Sequence, residues 1–250
     1  MWRRSRRIGG GGSRPSRRVG GGGSRAILRP MKGYYDTRAP EYDEWYLGVG
    51  RFAERDRPGW DLELDVLVRA VAALAAARTL DVACGTAFLT RHLRGEIAAI
   101  DASPQMLAIA RPRLPSATLV QGDALHLPFD DGEFDRVFTG HFYGHLIERE
   151  REAFLAEAGR VANELVVVDS AVRPDHEREE WQERILNDGS RFQVYKRYFE
   201  ADGLAAELGG GAVLHAGDWF VMVSARVQAA RASRRRAGPG GARVHAARGS

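Results

Sequence analysis

Three aspartates recur at near-constant spacing in the first half of the chain: Asp81, Asp101 twenty residues on, and Asp123 a further twenty-two. Asp81 lies within the apolar run 79–82, and Asp101 and Asp123 follow the runs 96–100 and 117–121. Strand ends are therefore where all three are expected. A carboxylate accepts two hydrogen bonds side by side, which suits Asp101 to a ribose diol; Asp123 is placed to accept from an exocyclic amine such as that of adenine. One aspartate after a strand is usually a turn former or a helix cap. Three in one phase across successive units point further, to a site for a nucleoside. The stretch 79–89, Thr-Leu-Asp-Val-Ala-Cys-Gly-Thr-Ala-Phe-Leu, reads as a buried strand, a turn of small residues and the start of a helix over 88–93. The free amides of such a helix start would face a carboxylate or phosphate. Beyond a fourth apolar run, 134–139, stand His141, Tyr143 and His145. His141 is the best placed to act as a base, although a histidine at a strand end is also a common structural hydrogen-bonder.

These residues need a frame, and the chain supplies one. Residues 60–78 are Ala- and Leu-rich in a helical pattern and lead into the first strand. Ser103 caps a helix with Pro104 at its first position and Met106, Leu107, Ile109 and Ala110 on one face. Residues 148–161 read as a helix, 165–170 as a buried fifth strand, 175–186 as a charged helix and 201–208 as a short one. Two apolar runs, 212–215 and 219–225, flank Ala216-Gly217-Asp218 and read as a hairpin. Strands alternating with helices imply right-handed βαβ units and a doubly wound, mostly parallel sheet, with ligands at the carboxyl ends of the strands. The aromatic run 34–46 is read either as a patch that docks a terminal segment or as a lid over a ligand.

The 250 residues allow one medium α/β domain or two small ones. The net charge of +4 conceals an asymmetry. Residues 1–32 hold ten bases and 226–250 hold seven, with no acid in either, which leaves twenty of the 37 bases and all 33 acids to residues 33–225. The folded part is thus acidic, and no nucleic-acid partner is expected for it. Residues 1–32, with the near-repeat 5–14 against 16–25, and residues 227–250 are expected to be disordered basic tails around a domain at 33–226. No apolar run reaches the roughly 18 residues of a membrane span, and no apolar segment of the secretory type precedes Gly9. The single cysteine, Cys84, excludes an internal disulfide and makes a reducing cytoplasm the simplest setting. It reads as a small filler, with no partner base. No metal is expected.

The segments Leu80-Asp81-Val82-Ala83-Cys84-Gly85-Thr86, Ile100-Asp101-Ala102-Ser103-Pro104-Gln105-Met106-Leu107, Gly122-Asp123-Ala124-Leu125-His126-Leu127-Pro128-Phe129 and Phe134-Asp135-Arg136-Val137 resemble, in order and spacing, the motifs of class I S-adenosylmethionine-dependent methyltransferases. The resemblance covers residues 34–225 and is strongest to the small-molecule branch related to ubiquinone and menaquinone biosynthesis. It implies a Rossmann-like, seven-stranded sheet with an antiparallel C-terminal hairpin, S-adenosyl-L-methionine as cofactor, and methyl transfer to oxygen, carbon or nitrogen of a small-molecule acceptor. It also implies roles for residues. The backbone at Ala83, Gly85 and Thr86 would meet the methionine part, with Asp81 orienting the turn. Asp101 would hold the ribose, Ala102 and Met106 would flank adenine, and Asp123 with the Ala124 amide would read its edge. Tyr34 and Tyr42 are further candidates to cover the cofactor. Ala83 and Ala87 stand where many members have glycine. A cofactor-binding protein without turnover remains an alternative. So does a nicotinamide dehydrogenase, although Ala83-Cys84-Gly85-Thr86-Ala87-Phe88 is not Gly-x-Gly-x-x-Gly.

Overall fold

The computed structural model describes residues 30–227, so the two basic tails expected from the sequence lie almost wholly outside the described residues. Five strands run parallel: β1 (Ala77–Val82), β2 (Gly95–Asp101), β3 (Thr118–Gln121), β4 (Arg136–Gly140) and β5 (Glu164–Ser170). A C-terminal pair, β8 (Ala212–Ala216) and β9 (Phe220–Arg226), completes a seven-stranded sheet. β9 enters antiparallel beside β5, giving the order β3-β2-β1-β4-β5-β9-β8. This is the sheet the sequence pattern anticipates, reversed last strand included.

Both faces of the sheet are covered, which is why its central strands are apolar at nearly every position. Leu165 and Val167 face a core with Phe154, Ala158 and Val161 of α5 (Glu148–Val161) and Leu204 of α6 (Ala201–Glu207). Val166 and Val168 face the opposite way, toward Leu64, Leu67 and Val71 of α3 (Trp60–Ala73). Ala99 meets Leu107 and Ala110 of α4 (Pro104–Arg113) on that same side. Asp81 pairs in register with Ala99 and Phe138, so its carboxyl projects to the α3 and α4 side.

Two elements depart from expectation. The helix expected over 88–93 is a single 3-10 turn, Thr90–His92. The chain must return the length of β1, about 20 Å at strand rise, in the twelve residues between Val82 and Gly95. At about 1.5 Å per residue an α-helix would need about thirteen, more than there are before any turn is counted. A looser path satisfies the distance. The charged helix expected over 175–186 is instead a strand, β6 (Glu179–Ile185), paired antiparallel with β7 (Arg191–Arg197) as a separate two-stranded sheet. Trp181 and Glu183 point outward while Glu180, Gln182 and Arg184 share the inner face with Phe192, Val194 and Lys196. That alternation has period two. The turn between the strands is built by Gly189 (φ 84°) and by Asp188, which accepts from the Ser190 amide at 2.9 Å.

Upstream of the sheet, α1 (Pro30–Arg38), a 3-10 turn at Ala39–Glu41 and α2 (Glu44–Leu47) form a strap across the carboxyl ends of the strands. Tyr34 packs with Leu186 and Val194 of the hairpin, joining strap to hairpin.

Candidate functional site

The carboxyl end of β1 breaks into a turn in which Ala83, Gly85 and Ala87 all take left-handed backbone (φ 59°, 55° and 63°). Only glycine reaches that region without strain, and an alanine there costs about 1–2 kcal/mol. The two alanines thus hold a glycine's conformation while their methyl groups keep the turn thin. Two amides of the turn fasten it to the second strand's end, those of Gly85 and of Cys84, which donates to the Ile100 carbonyl at 3.1 Å. Asp101 accepts the Gly85 N–H at 2.8 Å and the Ser103 N–H at 2.8 Å. Burial raises the Asp101 carboxyl above its ordinary range despite these bonds. Ser103 is also the helix cap expected from the sequence, accepting the Met106 amide at 3.2 Å.

Asp81 is buried under the turn. One oxygen accepts from the Thr90 hydroxyl, and the other has no partner. Burial pushes this carboxyl up to about 8, against the pull of the Thr90 bond, with Asp101 adding to the rise. Cys84 is buried too, its thiol driven upward first by burial and then by Asp81 and Asp101. It fills space, as its environment disfavours the thiolate a nucleophile would need.

Just past the second strand, Met106 is buried and Ala102 exposed. Asp123 stays in solvent, accepting the Leu125 amide at 2.9 Å and lying 3.2 Å from His126 Nδ1. The turn-forming role and an open edge for a ligand therefore coexist at Asp123. Ala124 is half-buried beside it.

The strap closes over this turn. Asp43 accepts the Thr86 hydroxyl at 2.5 Å and pairs with Arg113 at 2.6 Å, while Arg113 also donates to the Thr86 carbonyl at 2.9 Å. Asp36 accepts the Ser103 hydroxyl at 2.5 Å. Tyr46 stacks on Phe88 with centroids 3.9 Å apart and planes within 4°. A cleft of only about 10 Å³ remains between the turn and the rings of Tyr42 and Tyr46. Neither Asp36 nor Asp43 was separable in sequence from the acids around it, because their partners lie 67 and 43 residues away.

On the other side of Tyr42 opens a cavity of about 360 Å³, bounded by the strap, the hairpin and the ends of β4 and β5. Tyr34, Tyr42, His141 and His145 line it, so four candidates from the sequence gather there. His141, itself left-handed at φ 56°, has no partner on either ring nitrogen and is packed against Trp45 (4.8 Å) and Phe220 (5.6 Å). Burial lowers it to about 3, in spite of Asp169 at 4.0 Å. His145 Nδ1 lies 2.7 Å from the Tyr195 carbonyl and donates to it, leaving Nε2 with the lone pair; burial and then the Lys196 ammonium hold it near 3. Tyr143 is turned away from the cavity. Its ring packs on Phe154 and Phe199, and its hydroxyl donates to Glu207 of α6 at 2.8 Å. The expectation of a reactive Tyr143 gives way to a structural one: two residues past His141 the chain has turned into the opposite core.

One pair was missed in sequence. Asp169, at the end of β5, accepts from Lys196 at 2.5 Å, from the Gly144 amide at 2.7 Å and from the Ser170 amide at 2.8 Å. Its position near the end of the apolar fifth strand was the available signal. Gly144 is required here, since a Cβ would sit 2.5 Å from the Arg197 carbonyl.

Fold and site together define a Rossmann-like domain with a reversed last strand and an aspartate at or near each of its first three strand ends. A family model described as a methyltransferase domain matches residues 80–164. An uncharacterised methyltransferase of Synechocystis sp. is 29% identical over 134 residues, 52% of this chain and 63% of the relative. The demethylmenaquinone methyltransferase of Staphylococcus carnosus is 42% identical over 73 residues, 26% of this chain and 30% of the relative. The aligned stretches thus span less than two thirds of these curated relatives. Among solved structures, the DhpI–SAH complex superposes with a TM-score of 0.64 at 27% identity, covering 82% of this chain and 99% of that one; a DhpI–SAM–HEP complex gives 0.63 at 25%, covering 81% and 99%. Residues 80–164 thus match a methyltransferase domain, and the fold around them is similar to that of S-adenosylmethionine-dependent methyltransferases.

The DhpI structures are complexes with SAH and SAM, and the residues present in this chain fit such a cofactor. At Ala83, Gly85 and Ala87 the turn carries nothing larger than a methyl group, Asp81 holds a buried oxygen without a partner, and Asp101 stands at the second strand end. Among the described residues no group of three histidines, cysteines or acids is arranged to hold a metal, and no helix is long and apolar enough to cross a membrane.

Proposed function

We propose that this chain transfers a methyl group from S-adenosylmethionine to an oxygen, carbon or nitrogen of a small molecule seated in the 360 Å³ cavity. The observation that carries the proposal is the position of Tyr42, whose ring borders both the cleft at the glycine turn and the cavity. Donor and acceptor compartments meet at one side chain. Ala83, Gly85 and Thr86 would hold the methionine part, with Asp81 beneath them. Asp101 would take the ribose, Ala102 and Met106 the faces of adenine, and Asp123 with the Ala124 amide its edge. For that to happen the rings of Tyr42 and Tyr46 must draw back from the turn, since the cleft they leave is about 10 Å³.

The cofactor supplies a methyl group activated by its sulfonium. The acceptor would contribute the electron pair for the new bond, a lone pair on oxygen or nitrogen or a π pair on carbon, and any proton displaced from it would pass to solvent or to a neighbouring base. Walls that hold the acceptor in line supply the acceleration, for which roughly 7–11 kcal/mol is available from positioning. His141, held near 3, is neutral at physiological pH and offers a lone pair to a donor on the acceptor. So low a value makes it a weak base, and its share of the rate is the smaller one.

Calorimetry with S-adenosylmethionine, S-adenosylhomocysteine and NAD tests the cofactor, followed by a mass-spectrometric methylation screen over quinone precursors, phenols and carboxylic acids. Tight NAD binding without S-adenosylmethionine binding would sink the reading. Asp101→Ala is expected to weaken cofactor binding by about 1.5–3 kcal/mol, the worth of hydrogen bonds to a charged group.

A further inference from the structure

The walls of the large cavity carry an imbalance of charge that the methyltransferase reading does not require. Six cations line it, Arg38, Arg55, Arg57, Arg173, Arg184 and Lys196, against two carboxylates, Asp56 and Asp175. Some of these cations are already matched. Both oxygens of Asp175 are taken by Arg173, at 2.9 and 2.7 Å, Lys196 is paired with Asp169, and Arg38 stands 4.0 Å from Glu41. Arg55, Arg57 and Arg184 have no carboxylate within 4.0 Å among the described residues. The Arg184 guanidinium donates to Gln182 but leaves its buried Nε without a partner. Arg57 donates to the Trp45 carbonyl at 2.7 Å and Arg55 lies over Phe52 at 4.8 Å, so both heads are held in place by contacts that leave their charge unmatched.

Such a cluster is unfavourable alone. Burial and the neighbouring charges of Arg184, Arg38 and Arg51 lower the Arg55 guanidinium below its ordinary value. An oxyanion in the cavity would relieve that repulsion, and guanidinium presents paired N–H groups that match a carboxylate or phosphate edge. The rest of the lining includes the rings of Trp45, Trp60, Tyr198 and Trp219, which suit a flat or apolar remainder.

We propose that the acceptor is a small molecule bearing a carboxylate or phosphate-type oxyanion, bound in this cavity through Arg184, Arg55 and Arg57. The proposal rests on the methyltransferase reading for the word acceptor, but not for the anion site itself. Arg184 is on the hairpin and Arg55 on the connection before α3, so the two can be varied separately and neither touches the glycine turn.

The test is calorimetry on the full chain saturated with S-adenosylhomocysteine, titrated with phenyl phosphate, benzoate and neutral benzyl alcohol. Phenyl phosphate or benzoate is expected to bind at least tenfold more tightly than benzyl alcohol, which decides between the two anion types as well. Arg184→Gln and Arg55→Gln are each expected to lower that affinity at least tenfold while S-adenosylhomocysteine binding, the control for folding, is unchanged. Benzyl alcohol binding as tightly as the anions, neither anion binding, or full affinity in both variants would overturn the proposal. Anion binding kept in a chain that binds no S-adenosylhomocysteine would remove the methyltransferase reading and support the anion site; the reverse pattern removes the anion site alone.

Discussion

Replacing Lys196 by methionine isolates the pair on which the floor of the acceptor cavity rests. Lys196 and Asp169 are both buried, with side-chain exposures of 5% and 0%. Burial alone would raise the Asp169 carboxyl; the Lys196 ammonium, with His141 and His145 behind it, outweighs that and holds it below its ordinary value. Removing the ammonium leaves a carboxylate with two amide donors and no cation in contact, Gly144 and Ser170. Breaking a buried pair on one side costs about 3–5 kcal/mol. At a urea slope of about 2 kcal/mol per molar, the unfolding midpoint should fall by roughly 1.5–2.5 M. The sign of the pH dependence follows. In the native chain the depressed carboxyl contributes stability that is present above its unfolded value and is lost as pH falls through its folded value. Without Lys196, burial is left to raise the carboxyl, so the deficit should be largest near pH 7 and shrink toward pH 5 as the group protonates. The double variant Asp169→Asn with Lys196→Met should recover most of the loss, because an asparagine oxygen still accepts the Gly144 amide. A midpoint shift below about 0.5 M, on the same slope, or a deficit that grows toward pH 5, would refute the reasoning.

Other outcomes follow from the turn and the strap. Asp81, raised to about 8, disfavours the folded state increasingly as pH climbs from its unfolded value toward 8; wild type minus Asp81→Asn stability, from urea melts at several pH values, should therefore decline between pH 5 and 8. Ala87→Gly relieves a left-handed alanine (φ 63°) and should leave stability unchanged or raise it by up to about 1 kcal/mol after the unfolded-state entropy of glycine is counted; a clear loss would mean the Ala87 methyl packs more than it strains. Gly144→Ala drives a methyl to 2.5 Å from the Arg197 carbonyl and should cost about 1–3 kcal/mol, read as a lower thermal midpoint. Asp43→Ala removes the contacts to Thr86 and Arg113; hydrogen exchange over 34–47 should quicken while the amides of β4 and β5 stay protected, and unchanged exchange would show that the aromatic stacking holds the strap alone.

The sheet was legible because its strands are apolar on both faces and its turns carry small residues. The runs 165–170 and 219–225, and the cap at Ser103, could hardly form anything else. Asp101 was legible for the same reason, since a strand end fixes where its side chain goes. Two features were hidden by distance in the chain. Asp43 becomes a clamp only when Arg113 and Thr86 are folded beneath it, and nothing in the acidic run around it marks it out. The hairpin was hidden by composition. Glu179, Glu180, Glu183 and Arg184 favour a helix by propensity, and the alternation of Trp181 with Gln182 is too short to outweigh them until Phe192 and Val194 arrive as partners. The helix after the turn failed on length, through the shortness of the link from Val82 to Gly95.

The β6–β7 sheet enters and leaves the fold at one point. Val172 donates to the Phe199 carbonyl at 2.9 Å, and Phe199 donates to the Ser170 carbonyl at 3.0 Å, so the two ends of the insertion are pinned side by side at the tip of β5. An insertion closed at its base can be exchanged with little change at the junction, since doubling the length of a loop adds only about 0.6 kcal/mol of closure entropy. The segment 173–198 thus closes on itself at the tip of β5 while it carries Arg184, Lys196 and Tyr198 to the cavity, with Lys196 anchoring it to Asp169. Under the proposed function, substitutions within 173–198 would reshape the wall that meets the acceptor and leave in place the residues assigned to the methyl donor.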